Sequence, residues 1–112
     1  MAKYETNINR GFREVLETLD EAILSRSATA SFEDGSDFHL PGASAAVRVY
    51  ERYSMFGGNR LTLTLTIVGD AACTQVSAIT SGGSQAMFFK INTLGEDAFL
   101  DTVIEVLNQM GG

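Results

Sequence analysis

Seven consecutive residues, Leu61-Thr62-Leu63-Thr64-Leu65-Thr66-Ile67, alternate apolar and polar without a break. Side chains along a strand point to opposite faces in turn, so this pattern suits a strand with one buried and one open face. Such a strand needs sheet neighbours and a covering layer. The flanking sequence offers both.

Ala46 to Tyr53 alternates in the same way, and Gly57-Gly58-Asn59 predicts a tight hairpin joining it to the leucine strand. A third strand is expected over Thr74–Thr80, after a four-residue loop at Gly69 to Ala72. A fourth is expected over Ser84–Asn92, after a two-residue turn at Gly82-Gly83. These loops predict a register in which Tyr53 opposes Leu63 and Val49 opposes Ile67. Leu65 opposes Val76, Leu63 opposes Ala78, Ala78 opposes Met87, and Val76 opposes Phe89. All of these apolar residues then share one face, which a slip of one residue would invert. Two shorter strands are expected near Ala2–Ile8 and Ala28–Glu33.

Two amphipathic helices supply the cover. From Arg10 to Arg26, Phe12, Val15, Leu16, Leu19, Ala22 and Ile23 recur on one helical face, with Asn9 as the expected N-cap. From about Leu94 to Met110 the stripe is Phe99, Leu100, Val103, Val106, Leu107 and Met110. Thr93 and Glu96 have capping-box spacing at its start. The expected architecture is α+β: a two-layer sandwich in which an antiparallel sheet of five or six strands carries two helices on one face. Its topology resembles that of the TATA-binding-protein-like and helix-grip group, a likeness of fold that implies no function.

At 112 residues, with 45% hydrophobic and 20% charged residues, the chain suits a single domain over residues 1–112. No apolar run approaches the roughly 20 residues that span a bilayer, and the N-terminus lacks the apolar core of a secretory signal. Cys73 is the only cysteine and has no internal partner for a disulfide, which fits a reducing compartment. The expected location is the cytoplasm, away from membranes. A net charge of −6 disfavours a general nucleic-acid binder, whose affinity comes from accumulated Lys and Arg.

If the helices cover the leucine face, the same register turns Arg48, Tyr50, Arg52, Arg60, Phe88 and Lys90 onto the opposite, open face, among the threonines. That face is then basic and partly aromatic on an acidic molecule. It suits binding of another protein or a second copy of the chain, as a homodimer, with Tyr and Arg as anchors. Binding of an anionic ligand or single-stranded nucleic acid is the less favoured use, with aromatic side chains stacking and arginines holding phosphates. A plain solvated sheet face explains the same residues without any function.

Glu51 falls in phase with Val47, Val49 and Tyr53, so its carboxylate is expected to point toward the helices. Either Glu51 and Tyr53 line a small pocket between helices and sheet, or Glu51 reaches water at a layer edge. Asp34, Asp37 and His39 lie in a loop-like stretch from Asp34 to Ser44. They have ligand-type side chains, but such residues are ordinary in loops and no metal is expected. A single histidine leaves a Ser or Cys nucleophile without its usual base, so no catalytic residue is assigned. Ser81-Gly82-Gly83-Ser84-Gln85 lacks the Lys and the strand-to-helix setting of a phosphate loop. No cofactor is expected.

Three strings carry a family resemblance. They are Val47-Arg48-Val49-Tyr50-Glu51-Arg52-Tyr53-Ser54, Gly57-Gly58-Asn59-Arg60, and Ala78 to Ala86 continuing through Phe89-Lys90-Ile91-Asn92. With them the chain resembles a bacterial family of uncharacterised proteins, domain of unknown function number 6054, over nearly its whole length. The resemblance implies a bacterial cytoplasmic origin and brings no activity or site residue. The residues themselves favour a non-catalytic binding or protein-interaction domain using the open sheet face. The alternative is a small-ligand or enzymatic pocket near Glu51.

Overall fold

The computed structural model describes residues 1–53, 60–82 and 89–111, with backbone only over 89–95. The chain runs β1 (Ala2–Ile8), α1 (Phe12–Arg26), β2 (Ser31–Leu40), β3 (Ala43–Tyr53), β4 (Arg60–Gly69), β5 (Thr74–Gly82) and α2 (Phe89–Gln109). The strands form one antiparallel sheet in the order β1-β5-β4-β3-β2. Both helices lie on one side of it: α2 packs on β5, β1 and β4, and α1 packs on β4 and α2. This is the α+β arrangement expected from the alternation, with five strands among the described residues.

The leucine strand sits at the centre. Leu61, Leu63, Leu65 and Ile67 are fully buried, and a buried aliphatic side chain contributes about 1.5–3 kcal/mol. Above them lie Val15, Leu16, Leu19 and Ile23 of α1 and Phe99, Val103, Val106 and Leu107 of α2, in one continuous core. The helical stripes read from periodicity are therefore the buried faces.

Several expectations fail locally. Helix α1 starts at Phe12 behind Gly11, which has no capping side chain, rather than behind Asn9. The start is held instead by the Phe12 N–H donating to the Asp70 carbonyl at 2.8 Å. Helix α2 starts at Phe89, so Thr93 and Glu96 lie inside it and form no capping box; the buried Glu96 carboxylate meets the Met1 amine. The expected fourth strand over Ser84–Asn92 is corrected accordingly. Phe89 to Asn92 are helical, and the edge of β5 that this strand was to occupy is taken by β1, with Tyr4 opposite Ala78 and Thr6 opposite Val76. A short apolar run fits helix and strand equally by periodicity, which is why the sequence misleads there. Met87 and the turns at Gly57-Gly58-Asn59 and Gly83 lie outside the described residues.

The stretch from Asp34 to Ser44 is strand rather than loop. β2 and β3 join at Pro41-Gly42, where Leu40 opposes Ala43 and Gly42 has φ of 81°. Pro followed by a positive-φ glycine is the sequence of a type II turn.

The two hairpin registers fail differently. Between β4 and β5, Leu65 opposes Ala78 instead of Val76, a displacement of two residues that leaves every side chain on its expected face. Between β3 and β4, Tyr53 opposes Arg60 instead of Leu63, a displacement of three. An odd displacement inverts the strand. Ala46, Arg48, Tyr50 and Arg52 therefore turn toward the helices, and Val47, Val49, Glu51 and Tyr53 turn away.

Candidate interaction surface

The inversion of β3 redistributes the proposed site residues. Tyr50 is fully buried on the helix side, where its phenol donates to Asp20 Oδ1 of α1 at 2.5 Å and its ring meets Phe32 edge-on at 6.0 Å between centroids. Burial and the Asp20 carboxylate together push the phenol's pKa far above its ordinary value. Arg52 lies on the same side with its guanidinium 4.4 Å from the Phe99 ring centroid, and burial lowers its pKa. Arg48, also on that side, donates to Asp37 Oδ1 at 2.8 Å and to the Val47 and Ser36 carbonyls. The expectation that Arg48, Tyr50 and Arg52 stand on the open face is thus corrected. Long arginine stems can leave an inner face at the layer's edge, and a tyrosine with a polar partner fills the space under α1 better than a valine.

Glu51 and Tyr53 move the opposite way. Glu51 faces away from the helices and pairs with Arg60 at 2.6 Å, so it does not line an inner pocket. Tyr53 is exposed beside it, with the Arg60 guanidinium 5.4 Å from its ring. Of the expected open-face residues, Arg60 is where the alternation put it. Phe88 lies outside the described residues, and Lys90 belongs to α2 with its side chain undescribed.

The uncovered face can be followed in rows across the sheet. One row runs Phe38, Ala45, Val68, Gln75, Asn7; the next Ser36, Val47, Thr66, Ser77, Glu5; the next Asp34, Val49, Thr64, Ile79, Lys3. Beyond these come Glu51, Thr62 and Ser81, then Tyr53 and Arg60. The face is not basic. Its two cations among the described residues are Lys3, 4.0 Å from Glu5, and Arg60, paired with Glu51. It is instead threonine and serine interleaved with apolar groups. Phe38 at 55%, Leu40 at 72%, Tyr53 at 55%, Val68 at 42% and Ile79 at 37% exposure all lie on it. Sequence reasoning missed Phe38 and Leu40 because it took their segment as a loop; the Pro41-Gly42 pair is the signal that marks a hairpin there.

On the helix side, beside α1, Leu16, Leu24, Phe32 and Arg48 line an open groove of about 440 Å³ with Arg13, Glu17 and Asp20. Its polar groups are largely committed: Arg48 to Asp37, Tyr50 to Asp20, and Arg13 to Glu17 at 3.8 Å. Asp34 and Asp37 fall on opposite faces of β2, and His39 Nδ1 lies 3.3 Å from Ser44 Oγ. Among the described residues no three His, Cys, Asp or Glu side chains converge as a metal site would require.

These features define a two-layer β-α-β4-α domain with one sheet face left open. The chain belongs to the family of unknown function DUF6054, whose model matches residues 1–111. No curated protein and no solved structure matches it. No helix among the described residues is long and apolar enough to cross a membrane.

Proposed function

We propose that this is a non-catalytic protein-interaction domain whose contact surface is the uncovered sheet face. The supporting observation is that five of the eight large apolar side chains exposed among the described residues, Phe38, Leu40, Tyr53, Val68 and Ile79, share the face that neither helix covers, while Met1, Leu24 and Phe32 lie on the helix side. Contiguous apolar surface on a folded domain marks interaction sites more often than isolated exposed residues do. The centre of the face combines Val47, Val49 and Ile79 with threonines, while its charges, the Lys3–Glu5 and Arg60–Glu51 pairs and the β2 carboxylates Glu33 and Asp34, surround it, an arrangement that suits a protein contact. Binding of phosphates or single-stranded nucleic acid loses its carriers, since Arg48 and Arg52 turn toward the helices.

The proposed setting is the bacterial cytoplasm, on the resemblance and on Cys73, an exposed free thiol at the β4–β5 turn. The reading is tested by placing a photo-crosslinking side chain at Thr64 on the open face and, separately, at Glu17 on α1, in growing cells. A discrete protein adduct from Thr64 and none from Glu17 is expected. No adduct from Thr64, or the same adduct from both positions, overturns it.

A further inference from the structure

We infer that the partner of the open face is a second copy of this chain, packed sheet against sheet about a two-fold axis. The inference rests on the interaction reading above and adds the identity of the partner.

Charge placement is the first argument. The net charge is −6, which would repel a second copy if the acids were spread evenly. They are not. Each helix carries four acidic residues, eight of the fourteen in the chain, on the side away from the open face. On the open face Glu5 stands against Lys3 and Glu51 against Arg60; the two further carboxylates among the described residues both lie on the edge strand β2, Glu33 accepting from the Ser31 hydroxyl and Asp34 Oδ1 from the Gly35 N–H. Packed face to face, the two helix layers lie about 30 Å apart, some three Debye lengths at 0.1 M salt, so their like charges scarcely interact.

Area and symmetry are the second argument. Five strands at about 4.8 Å spacing, paired over roughly eight residues at about 3.3 Å each, make a face of about 600 Å². Two such faces bury about 1,200 Å² together, the lower end of the range for a stable pair. A two-fold interface must also be complementary to itself. A central band of Val49, Thr64 and Ile79 beside Val47, Thr66 and Ser77 meets this requirement, because small branched side chains interdigitate and threonine hydroxyls both donate and accept. A basic or acidic face would not.

Light scattering coupled to size exclusion tests this with purified protein. The wild type is expected at twice its 12.1 kDa chain mass. Ile79→Lys, at an exposed position that the fold does not need, is expected to weaken association at least about a hundredfold by placing like charges across the two-fold. Asp101→Lys on α2 is expected to leave it unchanged. As a check that needs no variant, methyl chemical shifts that move on dilution are expected at Val47, Val49 and Ile79. Monomeric wild type up to about 1 mM, the weak limit of specific association, overturns the inference. So does a dimer that survives Ile79→Lys but is lost in Ser36→Pro, since that pattern identifies pairing through the β2 edge. A heterotypic adduct at Thr64 alongside a monomeric purified chain would remove the second copy and leave the interaction reading standing.

Discussion

The phenol of Tyr50 donates to Asp20 Oδ1 at 2.5 Å, joining β3 to α1 through a side chain that is itself fully buried. This bond selects the face of β3 that turns inward. The aromatic ring fills the space beneath α1 and meets Phe32, while the hydroxyl finds a carboxylate at the layer's edge.

Tyr50→Phe keeps the ring and removes the bond. Asp20 is half-exposed and can recruit water, so the expected loss is modest, about 1–2 kcal/mol. Tyr50→Ala, which also opens a cavity, is expected to cost about 3–5 kcal/mol. Urea unfolding of the two variants checks the order; equal losses would mean that the ring contributes little.

The same bond gives a pH dependence at the alkaline end. The folded phenol titrates above its ordinary 10.0, so the unfolded chain loses this proton first. The contribution is complete below pH 10 and is lost as the pH rises further. Wild-type stability is expected to fall across pH 10 more steeply than that of Tyr50→Phe, as read from urea midpoints on either side. Parallel curves would show that Tyr50 titrates normally.

Gly35 opposes Arg48 across β2 and β3, and the Arg48 side chain crosses it on the way to Asp37. A Cβ at position 35 would lie 2.8 Å from the Val47 carbonyl oxygen and 3.0 Å from Arg48 Nη1. Gly35→Val is therefore expected to displace the guanidinium and destabilise the hairpin by about 1–3 kcal/mol. Faster amide exchange in Ser36 to Leu40, with α2 unaffected, is the expected local signature.

Asp70 accepts from the Ala72 and Cys73 N–H groups at 2.8 and 3.0 Å, and these bonds hold its carboxyl below its ordinary 3.8. Its contribution is present above pH 3.8 and is lost as the pH falls toward the lowered value. Asp70→Asn, which keeps an acceptor oxygen but does not titrate, is expected to show a flatter acid limb. An unchanged acid limb would remove Asp70 from the account.

The two hairpins show where sequence reasoning holds and where it stops. Moving β5 by two residues changed partners but no faces, so Val76 and Ala78 are inside as expected. Moving β3 by three residues exchanged Val49 for Tyr50 and took the proposed arginine surface with it. The open face was legible where β4, β5 and β1 define it, at Arg60, Thr62, Thr64, Thr66, Gln75, Ser77, Ile79, Lys3 and Glu5. Its outer part, Phe38 and Leu40, depended on recognising a strand in a polar segment whose ten residues are all exposed.

By itself the sequence determined the two helical stripes, the inward leucines of β4 and the antiparallel α+β class, because in each of these one face is plainly apolar and the other plainly polar. Only the tertiary structure decided the phase of β3. Its two faces, Ala46-Arg48-Tyr50-Arg52 and Val47-Val49-Glu51-Tyr53, are each partly apolar, so local pattern favours neither strongly. The choice falls to contacts distant in the chain: Asp20 for the Tyr50 hydroxyl, Phe99 beneath Arg52, and Asp37 at the edge for Arg48.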